Sequence, residues 1–223
     1  RKIVLGILLY VNHLMAFGLS DLTQHYSEQI IKAMVNCQFD LSFRICDSLD
    51  QKTPDDPTLS VLRVFVHGMR DLDADSVIDS TVFLNCFNQA VKKISWYEKK
   101  NGVDSYSLTV NGFVNASHAS FYLDQKKYLT AIKTGLASLE LMNKAKEVDP
   151  ENAEVDFFLG MYDYAKSELK KHLWMVLFWY SGKKEEGKKK LERCAKNAIF
   201  SGTAAKLALC DIYTREKKYK KAQ

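Results

Sequence analysis

The chain has 223 residues, 47% of them hydrophobic and 26% charged, a balance that supplies a sizeable core and excludes wholesale disorder. Its net charge is +5, from 32 basic and 27 acidic side chains. The excess lies mostly in 182–190 and 215–221, where it reads as a solvated helix face rather than a phosphate-tracking stripe, so nucleic acid is not an expected partner. The five cysteines show neither CxxC nor zinc-finger spacing; they argue against a disulfide framework beyond a single bridge, and read as small buried hydrophobes.

Glycine (10) and proline (3) are scarce, which favours long helices with short joins. Residues 1–18 have the order of a secretory signal: Arg1-Lys2, the apolar run 3–11, then Ala16-Phe17-Gly18 as a small-x-small cleavage site. Asn12 and His13 interrupt the pattern, and the alternative is a retained first helix. Cleavage would place the protein outside the cytoplasm, in a bacterial periplasm or beyond. Apolar residues at helical spacing then predict helices over 22–36, 41–49 and 59–69, and one long helix over 74–99 that stops at Asn101-Gly102.

A helix over 106–123 is rich in small residues (Gly112, Ala116, Ser117, Ala119, Ser120), which permit close packing. After a short turn at Gln125-Lys126, a long helix runs to Val148 and meets Asp149-Pro150. Proline lacks an amide hydrogen and disfavours a helical residue before it, so the helix ends there and Asn152 is placed to cap the next, over 153–171. The aromatic run 173–180 follows, closed by Ser181-Gly182. It has three readings: packing inside the fold, docking of a partner, or lying at a membrane surface through Trp174 and Trp179 between lysine pairs. Helices over 185–197 and 203–213 follow, and another begins at 217. No period-two pattern competes anywhere.

One grammar recurs. Leu209, Tyr213, Tyr219 and Ala222 share offsets with Ala119, Tyr122, Tyr128 and Ala131, with Ala119 at the small place taken by Cys210; Phe39, Ser42 and Pro54 repeat the aromatic, small and proline places. In the central unit Leu159 and Gly160 fit, with Tyr162 and Tyr164 on either side of the expected tyrosine place. These residues resemble the tetratricopeptide repeat over most of 22–223, and 135–222 is similar to exported bacterial repeat proteins of unassigned role. The resemblance implies an all-α superhelix of antiparallel helix pairs, no cofactor, and a protein-interaction role. There are departures. Ala131 sets a proline place at 143 but Pro150 comes later, Gly187 takes the small place that Gly160 would set at 172, and 74–99 fits no standard unit.

Motifs of catalysis are missing: no P-loop, GxSxG or HExxH occurs. The five histidines are scattered, none with an evident nucleophile partner. The protein is therefore expected not to be an enzyme but a scaffold that binds a peptide or protein; a membrane-associated protein, or an enzyme or carrier with a hidden pocket, are the alternatives. In a superhelix of this type the first helix of each pair lines the groove. The expected contacts are Asn115, His118 and Tyr122 from one such helix and Asp156, Asp163 and Lys166 from the next, each set at same-face spacing. The competing expectation is that these side chains satisfy one another or lie on the outer surface. Gly160 and Ala131 are expected as packing positions.

Overall fold

The computed structural model describes residues 21–76, 78–172 and 183–222. The expectations for 1–18 and for 173–180 fall outside these residues. Among the described residues there are ten helices and no strand: α1 (Asp21–Val35), α2 (Phe39–Lys52), α3 (Pro57–Asp73), α4 (Ser80–Asn101), α5 (Ser105–Asp124), α6 (Tyr128–Val148), α7 (Asp156–His172), α8 (Lys184–Asn197), α9 (Gly202–Arg215) and α10 (Tyr219–Ala222). The chain forms two compact units that divide between Pro150 and Glu151, at the join the Asp-Pro dipeptide marks.

Three of the turns between helices are copies of one another. Cys37, Lys126 and Lys217 hold left-handed backbones with φ of 56°, 57° and 57°. Each donates its N–H to the carbonyl three residues back, and the next residue donates to the carbonyl five back: Gln38 to Ala33 at 2.9 Å, Lys127 to Tyr122 at 2.8 Å, Lys218 to Tyr213 at 2.8 Å. This is the Schellman pattern, which satisfies orphan carbonyls of the ending helix and turns the chain sharply. An aromatic opens the next helix every time (Phe39, Tyr128, Tyr219). A small residue follows it, and in the first two helices it is buried: Ser42 and Ala131. Asp75 (φ 47°) makes a related turn after α3, where Ser76 donates to Asp71.

That turn corrects the expected helix over 74–99. The run from Ala74 is helix-compatible, but Asp79 takes an extended backbone and its carboxylate accepts the N–H groups of Thr81 and Val82. The cap fixes the start at Ser80, because it satisfies donors that a longer helix would leave to the ladder. The expected stop is where it was placed: Gly102 has φ 85° and closes α4.

In the first unit, α1, α3 and α5 each pack on the helix that follows them. In addition α2 touches α3, α4 touches α5, and the alternate helices α1, α3 and α5 touch in series. A buried polar cluster joins these three at their N-terminal ends. Asp56 caps α3 through the Thr58 N–H (2.9 Å), accepts from Thr23 of α1 (2.7 Å), and accepts from the Tyr106 hydroxyl of α5 (2.8 Å). The α5·α6 contact is close because its residues are small. A Cβ on Gly112 would stand 3.0 Å from the Met142 side chain, and Ser138 donates to the Gly112 carbonyl at 2.8 Å.

In the second unit, α8 packs on α7 and α9, and α9 also touches α7 and α10. The core is Tyr164, Leu191, Cys194, Ala205, Leu209, Ile212 and Tyr213. Here α7 and α8 approach backbone to backbone: a Cβ on Gly160 would lie 2.8 Å from the Gly187 carbonyl oxygen, and one on Gly187 would lie 2.8 Å from that of Gly160. Gly160 is thus a packing position, as expected, and Ala131 is 3% exposed.

The two glycine environments predict opposite signs. Gly187→Ala forces α7 and α8 apart and is expected to cost about 1–3 kcal/mol, the usual range for overpacking. Gly68, inside α3, has nothing within 4 Å of its would-be Cβ. There Gly68→Ala is expected to stabilise by about 0.5–1 kcal/mol through helix propensity. Urea denaturation followed by circular dichroism checks both.

Candidate functional site

The expected contact residues fall into two sets, one in each compact unit. On α5, Asn115, His118 and Tyr122 are half-buried. Asn115 donates its side-chain N–H to the carbonyl and side-chain oxygens of Asn111, both at 2.9 Å. His118 faces α4: its ring centroid is 4.1 Å from Phe87 and 6.2 Å from Phe83. Tyr122 stacks on the other side of the imidazole at 4.3 Å, one helical turn along α5. Phe83 and Phe121 stack beneath it at 4.6 Å, with planes 7° apart.

This aromatic cage sets the chemistry of His118. Burial pulls its pKa below the ordinary histidine value, since the rings around it solvate a neutral imidazole better than a cation. The Nε2 atom is buried with no hydrogen-bond partner among the described residues. The imidazole is thus held by ring contacts with Phe87 and Tyr122.

On α7, the two carboxylates turn towards α8. Asp156 is fully buried and accepts from Arg193 Nε; Asp163, 8% exposed, accepts from Lys190 Nζ at 2.6 Å. Burial pushes the Asp156 carboxyl up to about 7, with Lys190 pulling the other way. Asp156 and Asp163 lie four residues before and three after Gly160, on the helix face that the glycine contact presses against α8. Lys166 is half-buried, its Nζ 5.3 Å from the centre of the Tyr162 ring. Asp156 and Asp163 are thus buried and paired with basic side chains of α8, whereas the competing expectation had them satisfying one another or lying on the outer surface.

Glu154 is the polar residue that the sequence reading missed. It is 3% exposed, and its carboxylate receives the N–H groups of Ile199 and Phe200 on one oxygen and the N–H and hydroxyl of Ser201 on the other. It therefore caps the start of α9 from the start of α7. Burial raises its pKa while these donors hold it back. Asn152 does not cap α7, which starts at Asp156 rather than 153; it accepts from the Glu154 N–H at 3.0 Å in the turn ahead of the helix. The Asn-x-Glu spacing was visible, but nothing in the sequence tied it to 199–201.

Among the described residues no group of three or more His, Cys, Asp and Glu side chains stands ready to hold a metal ion. No helix among them is long and apolar enough to cross a membrane. No known protein family, curated protein or solved structure matches the chain.

Two measurements test this description. The depressed pKa of His118 means that the unfolded chain takes up the proton more readily, so stability is full above the ordinary histidine value of 6.5 and falls as the pH drops below it. His118→Phe should lessen the fall in melting temperature between neutral pH and pH ~5, which spans the ordinary histidine range. His67, also depressed by burial, leaves a remainder. Glu154→Gln sets an amide N–H against backbone N–H groups at the start of α9; it should cost about 1–3 kcal/mol, the penalty of an unpaired buried donor, in denaturant unfolding.

Proposed function

We propose that the protein is a scaffold that holds a peptide or protein segment on a tetratricopeptide-like stack of helix pairs. The observation that carries this reading is the recurrence of one Schellman turn at Cys37, Lys126 and Lys217, each followed by an aromatic and then a small residue. The repeat grammar and the local geometry coincide at all three places. The serial contact of α1, α3 and α5 supports it further, because first helices that touch in series are what lines a continuous binding surface.

The face we assign to a ligand is that of α5, where Asn115, His118 and Tyr122 offer an amide, an imidazole and a phenol. Together they present donors, acceptors and an aromatic wall to an extended peptide, whose backbone needs both kinds of partner. In the second unit Asp156 and Asp163 pair with α8, and Lys166 is half-buried.

The experiment is a crosslinked pull-down from the native host read by mass spectrometry, followed by titration of the captured partner. With Asn115→Ala and Tyr122→Ala combined, affinity should fall at least about tenfold, or ~1.4 kcal/mol, with helical content unchanged. An affinity within about twofold of the parent (under ~0.5 kcal/mol) would remove α5 as the binding face.

A further inference from the structure

His67 and His118 occupy the same kind of place. In the first unit α1 pairs with α2, α3 with α4 and α5 with α6, and two joints connect one pair to the next: α2 against α3 and α4 against α5. His67 of α3 meets α2 through Phe43, with ring centroids 4.5 Å apart. His118 of α5 meets α4 through Phe87 at 4.1 Å. Each joint thus has one imidazole laid against one phenyl ring. His25, by contrast, is exposed on α1 and contacts Gln29 of its own helix.

Both rings are built to stay neutral. The Nδ1 of His67 and the Nε2 of His118 are buried with no hydrogen-bond partner among the described residues. Protonation makes donors of both ring nitrogens, and the buried one would then lack an acceptor, which is unfavourable. Burial pulls both rings below the ordinary histidine value for the same reason.

Nearby charges do not offset this. Arg63 and Arg70 lie four residues before His67 and three after it, on its own face of α3, and disfavour a further cation; Asp71 and Asp79 act the other way. Asp71 already accepts from Arg70 at 3.1 Å and from the Asp79 N–H at 3.3 Å, and Asp79 caps α4. On the α2 side Asp47 is held by Arg63 at 2.5 Å. Around His118 stand Phe83 and Phe87 of α4 with Phe121 and Tyr122 of α5, Tyr122 being the titratable one. Among the described residues α1 and α5 bring no charged side chain against His67, and α3 and α6 bring none against His118.

The joints are tied at one end. Asp56 gathers Thr23, Thr58 and Tyr106 at the N-terminal ends of α1, α3 and α5. His67 and His118 lie in the second halves of α3 and α5. A cation at either ring therefore acts on the end that this carboxylate does not hold. Inside the pairs the contacts involve no histidine: Ser42 donates to the Ile30 carbonyl at 3.4 Å and Ser138 to that of Gly112 at 2.8 Å.

We propose that the two joints form an acid-operated hinge in the first unit: protonation of His67 and His118 loosens α2 from α3 and α4 from α5 at the ends remote from Asp56, while the helix pairs stay intact. The hinge stands whether or not α5 holds a peptide. An opening that wets one ring lets it take a proton at the ordinary value of 6.5. Such an opening becomes up to about tenfold more populated between pH ~7.5 and pH ~5.5.

Hydrogen exchange of the full chain, read peptide by peptide by mass spectrometry, tests the hinge. The parent and the double variant His67→Phe/His118→Phe are compared at each pH, so that the intrinsic exchange rate cancels. In the second halves of α3 and α5 the ratio of parent to variant exchange should rise up to about tenfold from pH ~7.5 to pH ~5.5, with the ratio in α8 unchanged. Imidazole titration of the parent by NMR needs no variant, and should give both rings midpoints below 6.5. A midpoint at or above 6.5 for either ring, a ratio that does not change with pH, or a change shared equally by α8 overturns the hinge.

Discussion

Cys37, Lys126 and Lys217 each hold a backbone conformation that a side-chain-bearing residue adopts at a cost of about 1 kcal/mol. Each does so at the end of the first helix of a pair. The left-handed residue lets two N–H groups return to the carbonyls of the ending helix, and this reverses the chain within two or three residues. With so short a loop the second helix has no choice but to lie against the first. The pairing of α1 with α2, α5 with α6 and α9 with α10 follows from this constraint, and apolar burial then fixes how closely each pair meets. Glycine is the usual occupant of such a position; here the chain holds it with cysteine and lysine, so the geometry is stabilised by what the two helices bury afterwards.

Closeness is set by the smallest residues. At Gly112 the gap between α5 and α6 admits a methionine side chain, whereas at Gly160 and Gly187 the gap between α7 and α8 admits nothing. A backbone-to-backbone crossing shortens the reach between polar groups on the same faces. Arg193 and Lys190 meet Asp156 and Asp163 because Gly160 and Gly187 let them. The buried Asp56 cluster does the corresponding work for the first unit: one carboxylate collects donors from the starts of α1, α3 and α5. Asp56 is half-buried, but Thr23, Thr58 and Tyr106, which donate to it, are buried, so the shared carboxylate ties the starts of those three helices to one another.

Much of the helical order was legible because it rests on local chemistry. Asp149-Pro150 stops α6 whatever surrounds it, Gly102 closes α4, and apolar spacing marks each packed face. The shared spacing of Tyr128 with Ala131 and of Tyr219 with Ala222 was legible because these residues follow the same turn. The start of α4 was not, since Ala74 and its neighbours favour helix as strongly as Ser80 does, and what decides is a carboxylate at Asp79 closing on two N–H groups. Glu154 was less legible still. Its partners at 199–201 lie beyond the segment 173–180, and no spacing rule links a carboxylate to donors brought near by folding.

The candidate site shows the same division. Same-face spacing placed Asn115, His118 and Tyr122 together, and they are together, because three and four residues are one helical turn in any surroundings. The same rule placed Asp156 beside Asp163 and was right about their face, yet it carries no information about what that face meets. Two small residues, Gly160 and Gly187, decide that it meets α8. Residue type suggested binding chemistry for all six positions, but packing distance separates them. Asp156 is used up by Arg193 at full burial, whereas the α5 set keeps a half-buried aromatic wall with an imidazole in it. How closely two helices approach therefore decides which polar groups are consumed between them, and that approach is written in the small residues rather than in the polar ones.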